Sequence, residues 1–228
     1  MKNQKYTTLL FDADNTLLDF FAAEARAIEI TCNHFGIPFS KKVGETYSKI
    51  NDSFWKMFEK GEIKREDISI GRFAKFAEVM KSDADPNDLS EFYIEELSNG
   101  NMIIEGADKL CEKLSEKYHM YVVTNGHASV QKRRFGTSEL PQYFIKSFIS
   151  EEIGSKKPQK EYFDLVFKEI PEKDKSKICI IGDSMSSDIL GGINAGIDTC
   201  FYNPYNNPRI YEPTYEVKNF DEMLKIFE

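Results

Sequence analysis

The sequence predicts an α/β fold: a doubly wound, mainly parallel Rossmann-like sheet carrying an inserted all-helical domain. Three observations lead there. Short apolar runs at 7–11 (TTLLF), 120–124 (MYVVT) and 178–182 (ICIIG) each end in a polar or glycine-bearing turn. Helical patterns at 107–118, 160–170, 186–196 and 220–228 alternate with them. Between 19 and 98 the periodicity is helical, with no strand-like run.

The three apolar runs are continuous rather than alternating, which suits strands covered on both faces of a parallel sheet. SFIS (147–150) and DTCFY (198–202) are weaker strand candidates. The helical block reads AAEARAIEITCNHF, VGETYSKINDSFWKMFEKG, GRFAKFAEVM and DLSEFYIEELS. It divides the chain into a discontinuous core, 1–18 with 99–228, and a helical domain, 19–98. Residues 202–215, rich in Pro and Asn, read as a surface loop. There is no internal repeat.

Composition sets the partners. The 228 residues are 41% hydrophobic and 13% aromatic, enough for a sizeable core. A net charge of -8 argues against a nucleic acid polymer as partner. It leaves room for a small anion, because a metal or a few local cations can set the field of one cleft. No apolar run is long enough to span a membrane, and the start shows no signal-peptide pattern. The cysteines, Cys32, Cys111, Cys179 and Cys200, form no CxxC pair and read as buried free thiols of a reducing compartment. The expectation is a cytoplasmic protein, monomer or homodimer, whose partner is a small phosphorylated metabolite.

Ligands of open α/β sheets sit beyond the carboxyl ends of the strands. Those ends carry Asp12 and Asp14, then Thr124 and Asn125, then Asp183, while GSKKP (154–158) adds Lys156 and Lys157 before a helix. Strand alternation would put Asp12 and Asp14 on the same side. Close carboxylates repel unless a cation intervenes, and Mg²⁺ takes carboxylate and phosphate oxygens. Asp12 and Asp183 are the natural pair of side-chain ligands. With a phosphoryl group bound, one carboxylate can attack phosphorus while another protonates the leaving oxygen and later activates water. Thr124, Asn125 and a lysine can hold the phosphoryl oxygens, and backbone N–H groups after Asp12 and at the helix start after Asn125 can add to them.

Four motifs then carry a resemblance: DADNT (12–16), the threonine closing YVVT before NG, the lysine of KKP, and GDSMSSD (182–188). In this order the chain resembles the haloacid-dehalogenase-like phosphohydrolases over nearly its whole length. The resemblance implies Asp12 as nucleophile and Asp14 as acid and base. It implies Thr124 and Lys157 on the phosphate and Asp183 on Mg²⁺. It further implies a metal contact from the Asp14 backbone carbonyl, support from Asp188, and a helical cap in the inserted block. Asn15 departs from the Gly or acid that many relatives carry. Phrases in the cap are most similar to noncanonical-pyrimidine 5′-nucleotidases, which implies a nucleoside monophosphate as substrate.

Plainer readings stand beside these. DADNT alone would be a solvated turn, Thr124 a helix cap, Lys157 a surface lysine, and Asp188 an acid at a helix start. In the helical block, Phe54 and Phe58 share a face and read as core. Phe20 and Trp55 are candidates to stack on a flat ring, and Arg72 to bind a substrate anion or form a surface pair. Competing functions are a phosphosugar mutase, another small-phosphate phosphatase, a dehalogenase, which does not need Asp14, and a phospho-ligand-binding regulator. The expected crossings between domains are Leu18–Asp19 and Ser98–Gly100.

Overall fold

In the computed structural model, which describes residues 5–227, the apolar runs are strands buried on both faces. The elements run β1 (Thr8–Phe11), α1 (Phe20–His34), α2 (Lys41–Lys60), α3 (Arg65–Met80), α4 (Pro86–Ser98), α5 (Ala107–Ser115), β2 (His119–Thr124), α6 (Ala128–Gly136), β3 (Lys146–Ile149), α7 (Ser150–Ile153), α8 (Lys160–Glu169), β4 (Ile178–Gly182), α9 (Leu190–Ala195), β5 (Asp198–Tyr202), β6 (Tyr215–Val217) and α10 (Phe220–Phe227). They form two units. One takes the chain up to Asp19 and from Met102 onwards; the other is Phe20–Asn101.

In the first unit six strands lie in the order β3-β2-β1-β4-β5-β6, and every neighbouring pair is parallel. Alternate side chains serve opposite layers, as a period of two requires. Leu9, Phe11, Met120, Val122, Cys179 and Ile181 pack with Leu110 and Leu114 of α5 and Met223 and Phe227 of α10. Leu10, Tyr121, Val123, Ile178 and Ile180 pack with Tyr162, Phe163 and Val166 of α8 and Ala195 of α9. Each such side chain contributes about 1.5–3 kcal/mol by leaving water, which is why the continuous runs read clearly. All four cysteines are buried and free.

Two details differ from the sequence reading. The loop read over 202–215 ends one residue into β6, whose Tyr215 pairs with Cys200. The single helix read over 186–196 is a π-helical turn, Met185–Ile189, followed by α9. The two chain crossings of this unit are tied together: Leu18 pairs antiparallel with Ile103, and the Asp19 N–H donates to the Met102 carbonyl at 2.9 Å.

The second unit contains α1 to α4. Ser40 caps α2 by accepting from the Val43 N–H, and Gly61 ends it in the left-handed region at φ 78°. Asp85 caps α4, with Pro86 in the first turn. The rings of Tyr47, Phe73 and Tyr93 meet at centroid distances of 5.1–5.2 Å and make its aromatic centre. No helix among the described residues is long and apolar enough to cross a membrane.

Candidate active site

The sheet register places the acids. Phe11 of β1 lies opposite Ile181 of β4, so Asp12 and Asp183 follow from adjacent strand ends. The Asp12 N–H donates to the Ile181 carbonyl at 2.9 Å, extending the ladder by one step. β1 and β4 flank the point where strand order reverses, the usual crevice of this architecture.

Lys157 ties this rim together. Its Nζ donates to Asp12 Oδ1 at 2.6 Å, Asp188 Oδ1 at 2.6 Å and the Val123 carbonyl at 2.7 Å, which uses all three ammonium donors. The side chain is 1% exposed. Burial pushes this ammonium's proton affinity down, but the Asp12 and Asp188 carboxylates outweigh it, and the net direction is up. Of the two adjacent lysines, Lys157 is the one that reaches the acids.

Asn125 clips the backbone of that lysine. Its Oδ1 accepts from the Lys157 N–H at 2.9 Å; its Nδ2 donates to the Lys157 carbonyl at 2.9 Å and to Ser187 Oγ at 3.3 Å. The amide assigned from sequence to phosphoryl oxygens thus braces the Lys157 loop. Thr124, buried at the end of β2, accepts from the Gly126 N–H through Oγ1 at 3.0 Å, which leaves its hydroxyl proton to donate. The α6 start is occupied: the Ala128 N–H donates to Glu151 Oε2 at 2.6 Å, with His127 Nδ1 3.7 Å from the same oxygen. One of the backbone N–H groups expected to add an anion contact at this helix start is thus taken by a carboxylate.

Asp188 reaches Lys157 from the π-helical turn. Its Oδ2 accepts from the Ser184 N–H at 3.1 Å. Gly182 makes the approach possible, because a Cβ at that position would lie 2.2 Å from Asp188 Oδ2. The glycine of GDSMSSD therefore serves the last acid of the motif as well as the strand end.

Oxygens of Asp12, Asp183 and Asp188 lie within 4.8 Å of one another. Lys157 pairs with two of these carboxylates, Asp12 and Asp188, and half-buried Asp183 lies beside them. Burial, with the charges of Asp188 and Asp14 added, pushes the Asp12 carboxyl up to about 8 against the pull of Lys157. Burial and the neighbouring Asp12 push Asp183 well above the usual carboxylate range. A hard divalent cation removes that cost, and an all-oxygen donor set without Cys or His suits Mg²⁺. The residues present fit the ion.

Asp14 is held differently. β1 ends at Phe11, Asp14 bridges to Leu18, and Asn15 adopts a positive φ of 56°. Asp14 Oδ1 accepts from Arg134 Nη1 and Oδ2 from Gln131 Nε2, each at 2.5 Å. Neither α6 residue was singled out from sequence. The available signal was two polar residues three apart between buried Val130 and Phe135.

The remaining candidates belong to the helical unit. Phe20 opens α1 and is half-buried. Trp55 is half-buried, edge-on to Phe58 at 5.8 Å, with the Arg65 guanidinium 5.9 Å from its ring. Arg72 is buried, so it forms no surface pair; it donates to Asn51 Oδ1 at 2.7 Å, and Asn51 Nδ2 donates to Glu24 Oε1 at 2.7 Å. Phe58 is core, while Phe54 is half-buried against Gly71.

Several known proteins resemble this chain along nearly its whole length. YfnB of Bacillus subtilis, a HAD-hydrolase, is 39% identical over 98% of this chain and 96% of its own. Its crystal structure, described as bound to magnesium, superposes with a TM-score of 0.94 at 38% identity, covering 98% of this chain and 99% of that one. The pyrimidine 5′-nucleotidase PynA of Streptococcus pneumoniae is 35% identical, covering 96% of this chain and 94% of its own. The pyrimidine 5′-nucleotidase YjjG of Escherichia coli is 30% identical, covering 97% and 98%. Residues 9–202 match the haloacid dehalogenase-like hydrolases as a family, and the chain belongs to that family.

Proposed function

We propose that this chain is a Mg²⁺-dependent phosphomonoester hydrolase working through an aspartyl phosphate, with a nucleoside 5′-monophosphate as substrate. The observation that carries the reading is the separate holding of two acids: Lys157 on Asp12, and Arg134 with Gln131 on Asp14. One acid is set for attack and the other for proton transfer. The pyrimidine 5′-nucleotidase relatives support the choice of substrate, and the magnesium-bound relative supports the metal.

Asp12 Oδ1 is engaged by Lys157, so Oδ2 attacks phosphorus. As the O–P bond forms, the bond to the leaving oxygen breaks, and protonated Asp14 gives that oxygen its proton. Asp14, now a carboxylate, takes a proton from the water that attacks the aspartyl phosphate; inorganic phosphate leaves and Asp12 is regenerated. Thr124 donates its hydroxyl proton to a phosphoryl oxygen, and the Lys157 charge lies beside the nucleophile. Asp12, Asp183 and the Asp14 backbone carbonyl would hold the ion, with Asp188 behind them; when bound, it supplies positive charge to the phosphoryl oxygens. The helical unit acts as the cap that selects substrate, with the rings of Phe20 and Trp55 for the base, and Arg72 organises that unit through Asn51 and Glu24.

A phosphate-release screen over nucleoside monophosphates, sugar phosphates, short-chain phosphates and an aryl phosphate, with Mg²⁺, tests this. Turnover favouring nucleotides, abolished in a folded Asp12→Asn variant, is the expected result. An isomerised sugar phosphate would point to a mutase, and binding without turnover to a regulator; either result overturns the proposal.

A further inference from the structure

We infer that Gln131 and Arg134 are positioning residues for the acid and base, holding the Asp14 carboxylate in the orientation from which it moves protons. The inference rests on the reading of Asp14 given above. Arg134 is 0% exposed, while the Asp14 side chain it meets is 26% exposed. A guanidinium placed this deep is costly unless it is paired and hydrogen-bonded. Gln131 is buried beside it, one helical turn away on the same inward face of α6. Each donor takes one Asp14 oxygen. Each oxygen keeps a second lone pair, so Asp14 can exchange a proton without leaving its tether.

An independent feature points the same way. A Cβ at Gly126 would lie 2.1 Å from Gln131 Nε2 and 2.7 Å from its Cγ. The absence of a side chain at 126 gives Gln131 its path. The helix bearing both donors is itself anchored, by Glu151 on the Ala128 N–H and by the Lys132–Glu152 ion pair. A carboxylate held by two buried donors on an anchored helix loses rotamers that do not face the leaving group.

The test compares kcat/KM for an alkyl phosphomonoester that the wild type turns over with kcat/KM for p-nitrophenyl phosphate, in Mg²⁺. An alkoxide needs a proton to leave and nitrophenolate does not, so the ratio of the two reports proton delivery. Asp14→Asn should shift that ratio by about 100-fold against the alkyl ester. Gln131→Met and Gly126→Ala should shift it the same way by roughly tenfold, and Arg134→Lys should retain more of it than Arg134→Met. A ratio unchanged in Gln131→Met and Gly126→Ala, while Asp14→Asn moves it, overturns the positioning role and leaves the Asp14 reading standing. A ratio unmoved by Asp14→Asn removes that reading, and this inference with it. If Arg134→Met does not fold, the Gln131 and Gly126 variants decide the question.

Discussion

Replacing Lys157 by Met removes a charge while keeping most of the volume. The variant deletes three hydrogen bonds and leaves Asp12 and Asp188 without the ammonium both bind, beside Asp183, the three having oxygens within 4.8 Å of one another. Breaking a buried pair by removing one partner costs about 3–5 kcal/mol. In a chain of this size that lowers Tm by roughly 6–20 °C. The loss should depend on pH. The Asp12 carboxyl stands at about 8 in the folded protein against an ordinary 3.8, and Asp183 is raised as well. Between those values the folded state holds protons that the unfolded state has released, so stability falls as pH rises. Lys157 lowers the Asp12 value, so its removal carries the fall further up the pH scale. The lysine's own proton affinity is raised above 10.5, so its titration adds no slope below that. Thermal unfolding followed by circular dichroism in EDTA should therefore show a larger Tm deficit near about pH 9 than near about pH 5. Mg²⁺ should recover part of it by binding the folded state. No deficit near pH 9, or one equal at both ends, would refute the view that Lys157 compensates these acids.

Gly182→Ala should push the Asp188 carboxylate off Lys157, because the added Cβ would sit 2.2 Å from Oδ2. The expected outcome is a stability loss of about 1–3 kcal/mol and a clear fall in kcat, read by thermal unfolding and phosphate release; an unaltered variant would mean the loop yields freely. Chelation by EDTA should abolish turnover, and added Mg²⁺ should restore it, assayed as phosphate release. Indifference to the chelator would remove the metal from the proposal.

The parts of the fold visible in the sequence are those where burial leaves an apolar pattern. β1, β2 and β4 sit inside the sheet, and their runs are nearly unbroken. β6 is a three-residue edge strand with Tyr215 and Glu216 half-buried, so it has neither the length nor the alternation to stand out. For the site, parallel register was enough to expect Asp12 and Asp183 together, because both follow neighbouring strands. Which donors meet which oxygens depended on loops that period and propensity do not describe. Asn125 reaches the Lys157 backbone across 32 positions, and Arg134 reaches Asp14 across 120. The Glu24–Asn51–Arg72 chain was equally hidden, since each of its residues alone reads as an ordinary polar position on a helix.

Two carboxylates placed two residues apart cannot do different work if they share one environment, because each would answer to the same field. In this chain different partners hold them, Lys157 on Asp12 and Arg134 with Gln131 on Asp14. Asp12 receives its cation from the loop between α7 and α8, through a lysine whose donors are all taken by protein oxygens. Asp14 receives its cation from α6, a different element with its own anchor in Glu151. Lys157 has no donor left for Asp14, whose hydrogen-bond donors come from α6 instead. The two acids are thereby held by separate parts of the chain, and on the proposed mechanism that lets a motif of five residues supply both a nucleophile and a proton carrier.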